Sequence, residues 1–381
     1  MNRVSFIIIL ILAFKAEAQT SALAVSDSLY AVGEYAEAIN KLQEITSQTE
    51  KTYLNLAKNY AASRQPEIAL KNYKKVLSQN PDRVLTAVDY GELLVKTGKL
   101  GAADSLFKDL SEKYPKNASF KFQQGLIKEK LKESTAMGYF MHTMILDTTH
   151  QGALYKLAKD KLRNRQYTMA EHFSKQGLRA NANNASLLSI LAQTYSSLKL
   201  YKEAIPHYEK IIELGEDTEF IYNKLGFAYY RLGEYRKAIA MYKAALNFED
   251  RNSATHYTLG KLYVLIGDLD KSETHLLMSI LIKKQPVDAE FFSLGLTYKM
   301  QEKYKNALEY FNKALDENPD HERALYERAV AADNYMANDE TAIRYYQAYF
   351  NKYENIGNDG MLYRAKTRIS DLKEKIHLAE N

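Results

Sequence analysis

Eight histidines, at positions 142, 150, 172, 207, 256, 275, 321 and 377, are the side chains of this sequence best suited to proton transfer or metal ligation near neutral pH. Two imidazoles four residues apart on a helix, with a glutamate beside the first, would make a zinc-hydrolase site. No two of the eight have that spacing. His256 stands where other segments carry Tyr222 or Phe291, which marks it as a packing position and not a ligand. A thiol nucleophile is excluded, because the chain has no cysteine. There is no Gly-x-Ser-x-Gly elbow for a serine nucleophile. The stretch "GKLYVLIGDLDKS" at 260–272 holds glycines followed by Lys271 and Ser272, but the spacing fails for a phosphate-cradling loop. Carboxylate pairs are plentiful, as on any charge-rich helical surface. No enzymatic activity, cofactor or metal is expected.

What must be positioned is therefore a surface, and the composition says on what. Of 381 residues, 26% are charged and 46% hydrophobic, with only 6 prolines and 16 glycines, a mix that favours helix almost throughout. The net charge of +5 comes from 52 basic and 47 acidic residues spread evenly, so nucleic-acid binding is not expected. The chain opens "MNRVSFIIIL ILAFKAEAQT SA". Arg3 supplies a positive start, Val4 to Phe14 an apolar run of 11 residues, and "AEA" at 16–18 the small residues of a cleavage site. A secretory signal peptide over residues 1–18 is expected, because eleven apolar residues fall short of the roughly 20 that span a bilayer. No comparable run follows, so no membrane span is expected after cleavage. Without cysteine there are no disulfides, and with no tryptophan either the chain reads as an exported, periplasmic bacterial envelope protein. "NAS" at Asn117 and Asn184 is read as chance and not as glycan acceptors.

The organising feature is a repeat. Leu225-Gly226 is followed by Tyr229, Ala238, Tyr242 and Ala245; 34 residues on, Leu259-Gly260 is followed by Tyr263, Ser272, Leu276 and Ser279. Leu294-Gly295 leads to Tyr298, Ala307, Phe311 and Ala314, and Leu191-Ala192 to Tyr195, Ala204, Tyr208 and Ile211. Leu56-Ala57 with Tyr60, Ala69 and Tyr73, and Tyr90-Gly91 with Leu94, Ala103 and Phe107, carry the pattern into the amino-terminal half. A helix pays about 1 kcal/mol for an interior glycine, which implies a packing reason. Gly226 and Ala238 are expected to meet where two antiparallel helices cross, with Tyr229 and Tyr242 filling the space beside them. "RLGEYRKA" supplies the turn, Gly233 ending the first helix.

This 34-residue pattern resembles the tetratricopeptide repeat. The resemblance implies an all-α, right-handed superhelical solenoid of about ten helix–turn–helix units, starting near residues 19, 50, 84, 118, 151, 185, 219, 253, 288 and 322. Units 1–3 occupy 19–117. Unit 4, residues 118–150, is blurred, with Met137, Met141 and Met144 near offsets that elsewhere hold Ala, Tyr or Phe; a bend is possible there. Units 5–10 fill 151–355, and residues 356–381 form a capping helix with an apolar stripe of Leu362, Ala365, Ile369, Leu372 and Ile376.

The resemblance also implies that first helices line a concave groove that takes peptides or helices of partner proteins. At the inward offsets stand Phe220, Asn223, Phe227, Tyr230 and Arg231 in unit seven, and Tyr257, Lys261 and Val264 in unit eight. Phe292, Leu296 and Lys299 follow in unit nine, then Tyr326, Val330 and Asp333 in unit ten, while unit six offers Ser186, Ser189, Gln193, Ser196 and Ser197. The expected partner-binding set is Phe220, Asn223, Phe227, Tyr230, Arg231, Tyr257, Lys261, Phe292, Lys299 and Tyr326, some rings of which can instead pack on neighbouring helices. The Lys/Asn set with which some members clamp a terminal carboxylate is not matched. The function expected is a non-catalytic scaffold or adaptor binding envelope proteins; the alternative is a glycan-linked export or wall-assembly factor touching polysaccharide through the same aromatics. The oligomeric state is not given by the sequence.

Overall fold

The computed structural model describes residues 22–284 and 286–380. The expected signal peptide at 1–18 lies outside the described residues. Among the described residues the regular structure is entirely helical. Helix α1 covers 22–31, followed by α2 (Tyr35–Gln43), α3 (Glu50–Ala62), α4 (Pro66–Gln79), α5 (Val84–Lys96), α6 (Leu100–Lys113) and α7 (Ala118–Lys130). Then come α8 (Ala136–Leu146), α9 (Gln151–Arg163), α10 (Tyr167–Ala180), α11 (Ala185–Ser197), α12 (Tyr201–Glu213), α13 (Glu219–Arg231) and α14 (Tyr235–Leu246). The chain ends with α15 (Ser253–Leu265), α16 (Leu269–Ile282), α17 (Asp288–Met300), α18 (Tyr304–Glu317), α19 (Glu322–Tyr335), α20 (Asp339–Tyr353) and α21 (Asp359–Glu380). Ten helix pairs and one closing helix fit the ten-unit repeat.

These residues become helices for local reasons that recur. First helices start at a short polar cap: Thr49, Asn117, Asn184, Thr218 and Asn252 each accept a backbone N–H of the first turn. Asn117 and Asn184 thus hold their "NAS" triplets as caps. First helices stop at a residue forced into the left-handed region: Gly33, Arg64, Gly98, Lys132, Arg165, Lys199, Gly233, Gly267 and Glu302, with φ between 58° and 86°. Five of these nine are not glycine, so the turn is imposed by packing as well as by sequence.

The paired helices cross where the repeated glycine sits, and the contact differs from the expected one. A Cβ built on Gly226 would lie 3.0 Å from the Tyr242 ring and 3.3 Å from the Met241 Cβ, so its nearest neighbours are these and not Ala238. The same pairing, sixteen residues apart, joins Gly91 to Phe107, Gly260 to Leu276 and Gly295 to Phe311, and fifteen apart Gly125 to Phe140, at 2.6–2.8 Å. The glycine is the seat for a large side chain of the second helix. Ala238, fully buried, belongs to the same core. Tyr229 turns to the preceding unit, where its hydroxyl donates to Glu209, and Tyr298 likewise donates to Glu273 at 2.8 Å.

The chain divides into two compact units: residues up to Asn164 with Arg179–Asn181, and Arg165–Leu178 with the residues from Ala182 onward. Unit four, 118–150, lies within the first. There α8 has 11 residues against 14 in α4 and α6, yet Gly125 still seats Phe140, which is fully buried. In the second unit, α21 closes the stack by burying Ala365 and Leu372 against α19 and α20, with Leu362, Ile369 and Ile376 packed partly beside them.

Candidate functional site

In the second compact unit the first helices of successive repeats touch, α11 with α13, α15 with α17 and α17 with α19, and α13 is tied to α15 by hydrogen bonds from Asn252 and Thr255 to Glu219 and Asn223, so they form one layer. The expected binding residues stand on this layer in three different situations.

Helix α13 carries the open part. Phe220, Phe227 and Tyr230 are 45%, 39% and 36% exposed, unusual for rings of that size. They are not isolated. Phe227 meets buried Tyr201 edge-on at 6.0 Å between ring centroids and Tyr230 at 6.4 Å, and Tyr230 meets Tyr235 at 6.2 Å. The Arg231 guanidinium covers Tyr201 and Phe227 at 5.1 and 5.7 Å, and Lys224 lies 5.3 Å from the Phe220 ring. Neither Arg231 nor Lys261 bonds a carboxylate among the described residues. The rings hold the cations near an apolar face without neutralising them.

Tyr257, Phe292 and Tyr326 are half-buried and committed to packing. Tyr257 accepts a hydrogen bond from Ser293 at 3.3 Å and lies under Lys261 at 5.3 Å. Phe292 packs on Phe311 and His321, with centroids 5.9 and 4.6 Å away, and Tyr326 packs on Tyr346 and Tyr349.

Asn223 and Lys299 have intramolecular partners. Asn223 donates to Glu219 at 3.2 Å, and Glu219 also accepts from Asn252 at 2.6 Å, a bridge between repeats. The Lys299 ammonium lies 2.5 Å from the buried Glu327 carboxylate. Sequence reasoning missed Leu265 and Met300, 50% and 51% exposed, which occupy the repeat offset held by Arg231 and add exposed apolar surface on α15 and α17.

The histidines form one spatial pair that spacing along the chain did not suggest. His256 and His275, on α15 and α16, place their Nδ1 atoms 2.9 Å apart, and His256 Nε2 lies 3.0 Å from the Asp250 carbonyl oxygen. A carbonyl only accepts, so His256 carries its proton on Nε2, and His275 Nδ1–H donates to His256 Nδ1. Tyr263 stacks on His275 at 5.4 Å. Burial, with His256 and Lys243 nearby, pushes the His275 imidazole down to about 4. An unfolded imidazole titrates near 6.5, so the folded state binds fewer protons between these values and stability falls as pH drops from about 6.5 to about 4. The full linkage value is about 3 kcal/mol; solvent around this half-buried ring reduces the expected loss to about 1–2 kcal/mol. His275→Asn keeps a donor for His256 and removes the titration. Its unfolding free energy, measured between pH 7 and 4, should be flatter than that of the parent chain by that amount; parallel curves would contradict the assignment. Among the described residues no group of three or more His, Asp or Glu side chains is placed to hold a metal ion.

Two stretches, residues 183–251 and 289–321, match tetratricopeptide-repeat models, so the chain carries these repeats. Anaphase-promoting complex subunit 3 of Schizosaccharomyces pombe is 22% identical over 292 residues, 75% of this chain and 44% of that protein. DnaJ homolog subfamily C member 3 of Rattus norvegicus is 22% identical over 353 residues, 87% of this chain and 66% of that one. The chain thus spans less than half the length of the first of these relatives. Among solved structures, YrrB, described as a TPR protein with an unusual peptide-binding site, is 21% identical with a TM-score of 0.47, covering 49% of this chain and 96% of its own.

Proposed function

We propose that this protein is a non-catalytic interaction scaffold that holds a peptide segment of a partner on the first-helix layer of repeats six to nine, centred on α13. Tetratricopeptide repeats serve generally as protein-interaction scaffolds. The observation that carries the finer reading is the row of exposed rings Phe220, Phe227 and Tyr230 beside Arg231 on α13, with Lys261 over the Tyr257 ring on α15, both cations free of carboxylate partners among the described residues. Aromatic and arginine side chains dominate binding energy where they anchor a partner. The fitting segment is extended or helical, with apolar side chains spaced by acidic ones. The amino-terminal residues point to an exported protein, so the partners are proposed to be envelope proteins met in the periplasm.

A saccharide would favour parallel, isolated ring pairs. Phe227 and Tyr230 are instead tilted by 46°, and the next two repeats add exposed Leu265 and Met300 at the offset of Arg231, which supports peptide over polysaccharide. The test is Phe220→Ala with Phe227→Ala, assayed against the partner captured from envelope extract. Affinity should fall at least about tenfold, or 1.4 kcal/mol. Melting should stay nearly unchanged, because both rings are exposed. Unaltered affinity in a folded variant would move the site elsewhere, and unfolding would make these rings part of the core.

A further inference from the structure

The first compact unit holds a cavity that two small side chains create. Ala61 and Ala62 of α3 stand at the repeat offsets where α13 carries Tyr230 and Arg231. The space beside them measures about 400 Å³ and is bounded by Tyr30 of α1, Lys58 of α3, Tyr73 of α4 and Asp89, Leu93 and Lys96 of α5. Small-molecule sites span roughly 300–1,000 Å³ and combine apolar walls with a few convergent polar groups.

The polar groups at this cavity lack partners. Tyr73 is only 4% exposed, yet its hydroxyl makes no hydrogen bond among the described residues. The same register position holds Phe107, Leu276 and Phe311 on other second helices, with no hydroxyl to satisfy, and the Tyr208 hydroxyl lies 3.5 Å from that of Ser196. A buried hydroxyl without a partner destabilises the fold where phenylalanine would serve, so its presence points to a group that completes it. Burial, with Asp89 and Tyr30 nearby, raises the Tyr73 phenol well above its usual range, so it stays neutral and can both donate and accept. Desolvation raises the Asp89 carboxyl above its usual range and Lys58 partly offsets the rise, yet the two form no ion pair. Lys96 has no carboxylate partner among the described residues either. Glu92, the other carboxylate at the opening, already accepts from Gln123 at 3.4 Å.

We infer that this cavity binds a free α-amino acid with an apolar side chain. The ligand ammonium donates to the Asp89 carboxylate and the Tyr73 hydroxyl oxygen, and its carboxylate accepts from Lys58 or Lys96. Its side chain lies against Leu93, Ala61 and Ala62. A compact zwitterion closes the gap that Lys58 and Asp89 leave between them, whereas a ligand of one charge satisfies one of the two and leaves the other alone. The site belongs to the first compact unit and uses none of the α13 rings.

Titration calorimetry of the full chain with L-leucine and with L-phenylalanine should show one site. L-leucinamide lacks the carboxylate and N-acetyl-L-leucine the ammonium, and each should bind at least tenfold more weakly than L-leucine. Asp89→Asn and Lys58→Met should each weaken binding at least tenfold, and both should fold like the parent because the two side chains are exposed and unpaired. Tyr73→Phe should weaken binding several-fold without lowering the melting temperature, whereas a hydroxyl with a structural role would lower it. Ala61→Tyr, which reproduces on α3 the ring that α13 carries, should abolish binding by filling the cavity. Phe220→Ala with Phe227→Ala should leave amino-acid affinity unchanged, which separates this site from the peptide reading of α13. No binding of either amino acid would overturn the inference. So would equal binding of the amide, which marks a cation pocket, equal binding of the acetylated form, which marks an anion pocket, or parental affinity in Asp89→Asn and Lys58→Met.

Discussion

Gly295→Leu is expected to destabilise the second compact unit by about 3 kcal/mol or more, the upper end for overpacking. A Cβ at this position would already stand 2.7 Å from the Phe311 ring. That ring has no exposed surface, and Phe292 packs beside it at 5.9 Å, so it has nowhere to retreat. Phe311→Ala alone should cost about 3–5 kcal/mol through the cavity it leaves. The double variant nearly conserves the volume of the pair, so its loss should fall well below the sum of the two. Thermal melts of the three variants and the parent decide it. Strict additivity would mean that the two side chains do not share a site. Because repeats contact mainly their neighbours, hydrogen exchange should rise first in α17 and α18 and only later along the stack.

Lys299→Met is expected to be almost as damaging, although lysine is among the easiest residues to replace on a surface. Glu327 is a buried carboxylate whose near partner is the Lys299 ammonium; Arg323 approaches only to 4.0 Å. Removing one member of such a pair leaves a buried charge and costs about 3–5 kcal/mol, the distant arginine holding this case toward the lower figure. Lys299→Met with Glu327→Leu should recover most of that loss, since an apolar replacement of both partners is often neutral. If the single variant melts like the parent, the pair contributes nothing to the fold, and Lys299 returns to the set of cations available to a partner.

These two sites show what the sequence reveals and where it stops. The period of 34 locates helices and their pairing, because small and large residues recur at fixed offsets and each pair must pack alike. It does not say which small residue faces which large one. Gly226 was expected against Ala238, yet helix pitch and crossing put it under Tyr242, four residues further on, or one turn. The offsets likewise identify the residues on the first-helix layer but not their exposure. Phe227 is exposed while Phe292 lies between Phe311 and His321, because exposure depends on what the next helix supplies. Lys299 and Glu327 are 28 residues apart, and His256 and His275 are 19, spacings that belong to no local motif and exist only once repeats are stacked.

The left-handed turns have a further consequence. Arg64, Lys132, Arg165, Lys199 and Glu302 hold a backbone shape that disfavours any residue with a Cβ by about 1–2 kcal/mol. A chain driven toward maximal heat resistance would have glycine there, as it does at Gly33, Gly98, Gly233 and Gly267. Natural selection has evidently stopped at sufficiency, leaving several kcal/mol of unused thermal tolerance distributed along the molecule. An engineer could recover it at sites remote from the α13 rings, and evolution can draw on it while repeats are gained or altered.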